Sequence, residues 1–575
     1  MFCPTRWALA FIATLCLLST GGCAEQLPTQ VDRPVSNAQA STSGTAFAAL
    51  VAQRHDTAGA RFGSGFVLLD GPQAAYGSRL ALVEGAQKTL DLQYYAIHAD
   101  ASTRRLMKGV REAAARGVRV RILIDDLHST GRDALVLQMA YDKNIEVRLF
   151  NPLEGARGST LGRLLNSIDD ASRIQQRMHN KLFLADNVLG VTGGRNLGDA
   201  YFGVGESGNF VDLDVLAAGP IVQDLSRSFD RYWNNERAYP VQSLVKREEL
   251  DAIRDKARAE DAAKSPYDAQ PADARRAVVW DEKAMNLQSA EFVWAPAMVL
   301  VDKPGKIAAN KEEAAAPATD GRGRVRGNSP GLVVTRPAGD RHVGAGAGGR
   351  QSAIQGAANA TAGSETLVEG LLQLVGQAQK DLLIISPYFV PGTEITQAFA
   401  ALQARGIRVR VLTNSLASND APVAHVGYAR HREALLKLGV DLYEMRSEQA
   451  GVASAFGSSG GAVTGESRSM LHSKVLVMDG RLLVVGSMNL DLRSQKQNTE
   501  VALLIASAGL SGRATEVIEK TMREGAWHLE LVDGRLTWRA PQGSGLKDTT
   551  TEPDASAGLK LMLKLLGPLA PDSML

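Results

Sequence analysis

The side chains best suited to chemistry in this sequence lie in one pattern, H-x-K-x4-D-x6-G-x2-N, which is present twice with identical gaps. The first copy consists of His179, Lys181, Asp186, Gly193 and Asn196, and the second of His472, Lys474, Asp479, Gly486 and Asn489. An imidazole can attack phosphorus or transfer a proton, and lysine and amide groups can hold anionic oxygens. The repeat therefore predicts one phosphoryl-transfer site to which both halves of the chain contribute.

Each motif is predicted to begin on a β-strand. Within residues 178–184, His179 and Lys181 are two positions apart and would project from one face of that strand. His472 and Lys474 repeat this arrangement in the second half. The glycine of each motif allows a tight turn, which we expect to bring the motif asparagine back toward the same face.

The two histidines are expected to divide the chemistry between them. One neutral imidazole would attack phosphorus to form a phosphohistidine, while the other would donate a proton to the leaving oxygen and later deprotonate the incoming one. These roles require different protonation states, which predicts separated pKa values. Carboxylates are expected to orient the far ring nitrogens, and aligning residues 212–215 with 498–501 nominates Asp214 and Glu500.

The remaining polar candidates are tied less closely to chemistry. Asp186 and Asp479 either take part in the site or brace the fold around it. His98 and His128 stand apart from the motifs and are predicted to be structural. No group of histidines and cysteines has the spacing of a zinc site, so the sequence predicts no metal and no other cofactor.

Length and charge restrict the class of protein. With 575 residues the chain is too long for one ordinary core, which predicts two large lobes. Lys+Arg total 64 and Asp+Glu total 62, a balance that argues against nucleic acid as a partner. A hydrophobic content of 45% is typical of a globular protein.

Residues 1–23 are predicted to be an export signal. Arg6 is the only charged residue there, an apolar stretch covers 7–18, and small residues precede Cys23. The terminal Gly-Gly-Cys resembles a bacterial lipoprotein signal, in which the cysteine is lipidated; an uncleaved anchor is the competing interpretation. We therefore expect an exported bacterial protein that is attached to a membrane, and no disulfide in its body, because all three cysteines lie in this segment.

The two halves also resemble each other outside the motifs. Residues 86–95 and 378–388 each read as a helix end followed by a strand. Residues 115–123 and 404–412 each read as a helix that ends at a glycine, again followed by a strand. This alternation predicts an α/β fold with two similar lobes, each an α/β/α layered sheet.

Composition suggests how the rest of the chain is divided. The predicted domains are the signal (1–23), a flexible tether (24–58), the first lobe (59–302), a Gly/Ala-rich linker (303–363), the second lobe (364–540) and a tail (541–575). Residues 447–468 and 541–556 are also predicted to be flexible. Residues 559–566 predict a short basic amphipathic helix, which either lies on a membrane or packs against the body.

With the paired motifs in view, the chain resembles the phospholipase D superfamily, whose signature they match, over residues 60–302 and 364–540. Further stretches resemble its bacterial cardiolipin synthase branch, namely 92–95, 193–202, 229–234 and 413–430. The resemblance implies two pseudo-symmetric lobes with one active site at their interface, and transfer through a phosphohistidine without metal. It favours His179 as nucleophile and His472 as acid/base, and makes Asp420 and His425 expected substrate contacts.

The function expected from this resemblance is a membrane-attached phosphatidyltransferase. It would use phosphatidylglycerol, with phosphatidylethanolamine as a candidate donor, at a membrane surface and with no nucleic acid; the family sometimes also needs a small partner protein. A phospholipase D hydrolase would differ only in its acceptor, which is water. A metal-independent nuclease and a non-catalytic lipid-binding scaffold are two further hypotheses.

Overall fold

The computed structural model describes residues 27–155, 157, 163, 171–205, 208–263, 283–307, 331–335, 353–447 and 468–566. The predicted export signal, including Cys23, lies outside the described residues. So do most of the predicted linker and almost all of the predicted loop at 447–468.

The first half of the chain forms a nine-stranded sheet in the order β10-β1-β8-β6-β5-β2-β3-β4-β9. Its strands, with β7 outside the sheet, are β1 Gly65–Leu69, β2 Thr89–Tyr94, β3 Arg119–Asp125, β4 Ile145–Phe150, β5 Leu182–Ala185, β6 Leu189–Gly193, β7 Gly208–Val211, β8 Asp214–Ala218, β9 Ala238–Pro240 and β10 Val293–Trp294. The helices are α1 Ala46–Thr57, α2 Pro72–Gly85, α3 Ala101–Ala115, α4 Ala171–Gln175, α5 Pro220–Trp233 and α6 Arg247–Ala263, with 3₁₀ segments at Gly131–Tyr141, Asp199–Phe202 and Val241–Ser243.

The second half forms a ten-stranded sheet in the order β12-β11-β19-β18-β17-β13-β14-β15-β20-β21. Its strands, with β16 outside the sheet, are β11 Ala297–Asp302, β12 Leu332–Thr335, β13 Asp381–Ile385, β14 Arg408–Asn414, β15 Asp441–Met445, β16 Arg468–Leu471, β17 Val475–Met478, β18 Leu482–Gly486, β19 Val501–Ala506, β20 Ala526–Val532 and β21 Arg535–Arg539. The helices are α7 Ala353–Ala360, α8 Leu367–Val375, α9 Thr393–Ala404, α10 Pro422–Ala429, α11 Arg432–Lys437, α12 Leu492–Lys496, α13 Ala508–Gly525 and α14 Ala557–Leu566, with a 3₁₀ turn at Pro304–Lys306.

The two sheets repeat one arrangement of strands. In each, three parallel strands (β2-β3-β4 and β13-β14-β15) continue into an antiparallel hairpin (β5-β6 and β17-β18) and then into β8 or β19. Gly117 and Gly406 follow α3 and α9 with φ of +98° and +72°, so each ends its helix in a conformation that glycine adopts readily. The predicted α/β fold with two pseudo-symmetric lobes is confirmed.

A continuous apolar core joins the two lobes. Leu182 and Leu184 of β5 and Val475 and Val477 of β17 are buried in the same cluster of side chains. These strands begin directly after the motif lysines, Lys181 and Lys474, and therefore tie both motifs to the inter-lobe core. The predicted strand starts later than expected, since His179 and Lys181 precede β5 rather than lying within it.

Parts of the predicted tether, linker and tail are ordered. Helix α1 buries Phe47 and Leu50 in the first lobe, and the chain before it is held by the carboxylate of Asp230, which accepts the N–H of Ala38 at 2.9 Å. Strand β12 pairs with β11, and α7 packs on the second sheet. In the tail, Glu552 forms an ion pair with Arg432 at 2.5 Å. The prediction of flexibility is wrong for these segments, because polar side chains, strand pairing and apolar packing against the lobes hold a backbone that composition alone marks as loose.

The predicted boundary between the lobes at residue 302 is also wrong. Strand β11 covers residues 297–302 and pairs with β19, so it belongs to the second sheet. The predicted tail helix is present as α14, which leaves Leu561 and Leu565 exposed. In the part of the chain that the structure describes, no helix is long and apolar enough to cross a membrane.

The motif aspartates brace the fold rather than the chemistry. Asp186 accepts the backbone N–H groups of Gln87, Lys88 and Thr89 at the start of β2, at 2.7–3.2 Å. Asp479 accepts the three N–H groups of residues 379–381 in the same way. Both aspartates have positive φ, +52° and +54°, in the turn of the hairpin. The interpretation in which they brace the fold is the correct one, and their assignment as catalytic residues is wrong.

We expect Asp186→Ala to destabilise the protein without acting on the chemical step. The substitution removes a charged acceptor from three backbone donors, which predicts a loss of about 2–4 kcal/mol in the free energy of unfolding. Urea-induced unfolding measures this loss. Asp142→Ala is the control, since it removes a half-exposed ion pair with Arg111, for which we expect about 1 kcal/mol or less. An Asp186→Ala variant with normal stability but no activity would show that Asp186 takes part in the chemistry.

Candidate active site

Two short segments pair across the lobe interface and deliver the motif histidines. Strand β16, which leads into the second motif, pairs in parallel with β7 of the first lobe. The N–H of His472 continues this pairing by donating to the carbonyl of Val211 at 2.9 Å. The second histidine is therefore fixed by hydrogen bonds to the other lobe.

The first histidine is fixed in the same way from the opposite side. Met178 forms a β-bridge with Thr499, and the N–H of His179 donates to the carbonyl of Thr499 at 2.9 Å. In return the N–H of Thr499 donates to the carbonyl of Arg177 at 3.0 Å. The first motif thus lies beside the segment that precedes β19, and the second motif lies beside the segment that precedes β8.

Those segments each carry a carboxylate that binds a histidine across the interface. Nδ1 of His179 lies 3.0 Å from Oε2 of Glu500, and Nδ1 of His472 lies 2.8 Å from Oδ2 of Asp212. A carboxylate at Nδ1 holds the proton on that nitrogen and leaves Nε2 for the reaction. Glu500 is itself held by the hydroxyls of Ser487 and Ser494.

The structure places Glu500 at the histidine, as expected, whereas the expectation for Asp214 is wrong. Strand pairing sets Gly193 opposite Asp214 and Gly486 opposite Ala502, so the position equivalent to Glu500 is Asp212. The sequence alignment matched the wrong acidic residue because Asp214 and Glu500 are both followed by valine. Asp214 instead forms a buried ion pair with Arg79, at 2.9 Å.

The motif glycines are required for close backbone approach. A Cβ on Gly193 would lie 2.1 Å from Oδ1 of Asp214, and one on Gly486 would lie 2.3 Å from the carbonyl oxygen of Val501. Neither glycine has a positive φ, so the expected tight turn is not what demands it. The glycines let β6 and β18 run directly against the strands that follow the two carboxylates.

The motif lysines are buried beside the histidines. Nζ of Lys181 donates to the carbonyl of His179 at 2.7 Å, and Nζ of Lys474 donates to that of His472 at 2.6 Å. Burial lowers the pKa of Lys181 to about 7 and that of Lys474 to about 8, although Glu500 and Asp212 oppose the shift. Ammonium groups that lose charge so easily favour an anion at this place.

The site lies in one cavity of about 400 Å³ at the lobe interface. Of the predicted site residues, its walls contain His179, Asn196, Asp420, His472 and Asn489, and the two lysines lie directly behind the histidines. The amide of Asn196 donates to the hydroxyl of Tyr201 at 3.0 Å. No group of three or more histidine, cysteine or acidic side chains that could hold a metal ion is found among the described residues.

His425 is not in this cavity, and its prediction as a substrate contact is wrong. Its ring is fully buried, with Nε2 2.5 Å from the guanidinium of Arg432 and 3.8 Å from Glu552. Helix α10 begins within the stretch at 413–430 that resembles the family, and so divides it. Asp420 lies before the helix and faces the cavity, where it accepts the hydroxyl of Tyr388 at 2.8 Å.

Several cavity residues were missed from the sequence. They are Tyr95, His98, His128, Tyr201, Tyr388, Asp491, Arg493 and Asn498; Asp212, which lies behind His472, was missed as well. Tyr95 and Tyr388 follow β2 and β13, and the carboxyl ends of parallel strands commonly carry binding residues, so that signal was present. His98 and His128, which were expected to be structural, both line the cavity.

The pKa values of the two catalytic candidates shift in the same direction. Burial lowers the pKa of His179 to about 4, although Glu500 opposes it. Burial and the charges of Lys474 and Lys181 hold the pKa of His472 well below its usual range. The expected separation of pKa values is not found between the two histidines. It is found between their carboxylate partners, since the pKa of Glu500 is lowered despite burial, mainly by His179, whereas burial raises the pKa of Asp212.

Comparison with known proteins agrees with this geometry. The family model described as "Cardiolipin synthase, PLD-like domain" matches the chain twice, at residues 80–233 and 371–522. Each match contains one motif and the strands around it. The chain belongs to this family, within the phospholipase D superfamily.

Individual relatives extend the match to most of the chain. Cardiolipin synthase C of Escherichia coli is 33% identical over 511 residues, which cover 85% of this chain and 92% of that protein. Cardiolipin synthase A of Pseudomonas syringae is 23% identical over 454 residues, 78% of this chain and 67% of that protein. The crystal structure of phosphatidylserine synthase from Haemophilus influenzae aligns with a TM-score of 0.52 and 14% identity, covering 91% of this chain and all of that one, and supports the fold.

The two neighbouring aspartates provide a sharp test of the crossed pairing. We expect Asp212→Asn to lower kcat by about 10²–10⁴-fold, since an amide no longer holds the proton on Nδ1 of His472. Asp214→Asn should instead lower the thermal unfolding midpoint, because it weakens the buried ion pair with Arg79. Turnover and thermal unfolding of both variants measure this difference. A greater loss of kcat in folded Asp214→Asn would contradict the assignment.

The lysine pKa values predict how activity depends on pH. A lysine is charged only below its pKa, so Lys181 and Lys474 lose their charges as pH rises through about 7 and about 8. We therefore expect kcat/KM, which reports the free enzyme, to fall over this interval. A pH–rate profile that stays level up to 10.5, the ordinary pKa of lysine, would show that neither ammonium charge is needed.

Proposed function

We propose that this protein is a phosphatidyltransferase that moves a phosphatidyl group to phosphatidylglycerol and so makes cardiolipin. The observation that carries the proposal is the pair of histidines, each held at Nδ1 by a carboxylate of the other lobe, in one cavity. Membership of the cardiolipin synthase family supports a phospholipid as the substrate. The reaction has two steps and uses only side chains of this cavity.

In the first step Nε2 of His179 attacks the phosphorus of the donor lipid. A nitrogen–phosphorus bond forms, and the bond from phosphorus to the headgroup oxygen breaks. His472, whose charge the bound phosphodiester restores, supplies a proton to that oxygen, so the headgroup leaves as an alcohol. The products are phosphatidyl-His179 and a neutral His472.

In the second step the hydroxyl of phosphatidylglycerol attacks the same phosphorus. His472 takes the hydroxyl proton, the new oxygen–phosphorus bond forms, and the bond to His179 breaks. Cardiolipin leaves, and both histidines return to their starting protonation states. Lys181 and Lys474 balance the charge on the non-bridging oxygens through both steps, and the two motif asparagines add hydrogen bonds.

The order of the two histidines follows from their partners. Glu500 keeps a lowered pKa and stays ionised, so it holds a proton on Nδ1 of His179 and leaves Nε2 with a free lone pair. This is the form that a nucleophile needs. Asp212 has a raised pKa and can share a proton with His472, which suits the histidine that gains and loses one in each cycle.

We also propose that the protein works at a membrane surface. Leu561 and Leu565 of α14 are 57% and 62% exposed, one helical turn apart. Helix α14 packs against α10, and Ala421 and Ala424 at the start of that region line the cavity. Apolar side chains beside the cavity would enter the lipid interface and bring the opening to its substrate. Lipidation at Cys23 would hold the protein there.

Product analysis tests the proposed function. Purified protein incubated with vesicles of labelled phosphatidylglycerol, with and without phosphatidylethanolamine, is expected to form cardiolipin; dependence on the second lipid would identify the donor. Phosphatidic acid as the only product would make water the acceptor and the protein a hydrolase. Cleavage of DNA with no lipid product would favour the nuclease hypothesis.

The assignment of the nucleophile is tested in the same assay by trapping labelled lipid on the protein. Rapid denaturation in detergent near neutral pH stops the reaction and avoids acid, which would cleave a nitrogen–phosphorus bond. We expect label on His179 in the wild type, retention of label in His472→Ala because the second step is slowed, and none in His179→Ala. Peptide mass spectrometry locates the label. Label on His472 of the wild-type protein would reverse the two roles.

A further inference from the structure

The cavity contains a third imidazole bound to a carboxylate. Nδ1 of His98 lies 2.8 Å from Oδ2 of Asp133, and the other carboxylate oxygen accepts the N–H of Ala99 at 2.8 Å. This is the arrangement already described for His179 and His472, with Nδ1 held and the rest of the ring toward the cavity. Neither His98 nor Asp133 belongs to the repeated motif.

The third pair lies further toward solvent than the other two. The side chain of His98 is 35% exposed, compared with 9% for His179 and 5% for His472. Its ring stacks on Tyr201 at 6.3 Å, and Tyr201 contacts His472 edge-on at 5.3 Å. Tyr201 therefore lies between His98 and His472 in the lining of the cavity.

The two proposed steps leave His98 without a chemical task. One imidazole carries the phosphatidyl group, the other gives and takes the same proton, and the cycle closes. A carboxylate-held imidazole in a binding cavity is then available for recognition. The substrate group to be recognised is one that neither the motif lysines nor the motif asparagines already hold.

The acceptor lipid brings such a group. The donor places one phosphodiester between His179 and His472, and its headgroup leaves as an alcohol that carries no phosphate. An acceptor phospholipid must insert its hydroxyl while its own phosphodiester remains attached, which brings a second negative charge into one small cavity. Two phosphodiesters in one cavity repel each other strongly, because bulk water does not screen their charges there. A cation near the acceptor therefore makes binding of the acceptor lipid more favourable.

We propose that His98, positioned by Asp133, binds the phosphodiester of the acceptor phospholipid and so directs the phosphatidyl group to lipid rather than to water. The inference rests on the proposed transferase function and identifies the acceptor subsite of the same cavity. It assigns a binding role to a residue outside both motifs.

The electrostatic surroundings of His98 support a cation there. Burial lowers its pKa, but the hydrogen bond and charge of Asp133 outweigh burial and raise it above the ordinary value. Burial lowers the pKa of the neighbouring His128 to about 4, so His128 stays neutral. The charges of the nearby Asp100 and Asp199 raise the pKa of His98 further, and both carboxylates accept backbone N–H groups, from Asp199 and Ser102 respectively.

The test measures how the phosphatidyl-enzyme divides between acceptors. With phosphatidylglycerol vesicles, we expect His98→Gln to lower the ratio of cardiolipin to phosphatidic acid by about 10–100-fold, the size expected for loss of one charge-assisted hydrogen bond. With soluble glycerol as acceptor, which carries no phosphate, the ratio of phosphatidylglycerol formed to phosphatidic acid should change by less than about 3-fold. The control is His55→Gln, a histidine of similar exposure that contacts Asp56 far from the cavity.

A second variant tests the role of Asp133. Because the pKa of His98 is raised, its charge is present at low pH and lost as pH rises through that pKa. Asp133→Asn keeps an oxygen for the N–H of Ala99 but removes the charge that raises this pKa. We expect the KM for the phosphatidylglycerol acceptor to begin rising at a lower pH than in the wild type, with the glycerol reaction as reference.

The outcomes separate this inference from the proposed function. An equal fall in transfer to phosphatidylglycerol and to glycerol would show that His98 does not recognise the acceptor phosphate, and an unchanged partition ratio would also overturn the inference. Failure of the proposed function would appear in the wild type itself, as phosphatidic acid without cardiolipin. Loss of the folded state in His98→Gln would be visible by thermal unfolding, and Asp133→Asn then decides the question.

Discussion

The crossed bond between each motif histidine and a carboxylate of the opposite lobe is the constraint on which the rest of the structure depends. His179 takes Glu500 from the second lobe, and His472 takes Asp212 from the first. Neither lobe can therefore assemble a correctly oriented imidazole by itself. The shared apolar core and the β7–β16 pairing both maintain the one relative placement of the lobes in which these two bonds form.

The buried charges of the site explain one another once that constraint is in place. Burial lowers the pKa values of two lysines and two histidines, neighbouring positive charges lower those of Lys181, His179 and His472 further, and two buried carboxylates partly compensate at the lysines and His179. The balance is completed by an anionic ligand, because a phosphodiester would restore charge to groups that otherwise give it up readily. The charges of the site are thus balanced only when an anionic ligand is bound.

Much of this could be predicted from the sequence, because the information was local. The spacing of the motifs, the alternation of strands and the helix-ending Gly117 and Gly406 all depend on residues close together in the chain. The errors came from contacts between distant residues. Asp212 is distinguished from Asp214 only by strand register, and the position of His98 in the cavity depends on how distant segments of the chain pack.

The same reasoning explains the errors in segments judged by composition. Residues 27–45 contain few apolar side chains, yet Asp230 and Arg121 of the lobe hold their backbone, with Arg121 donating to the carbonyl of Ser36 at 2.8 Å. A polar stretch can be ordered when its partners lie elsewhere.

The reciprocal exchange of carboxylates also suggests how the chain arose: a single lobe that dimerised symmetrically would already possess both crossed bonds. The two halves of this chain need not be identical, and one carries Asp212 where the other carries Glu500.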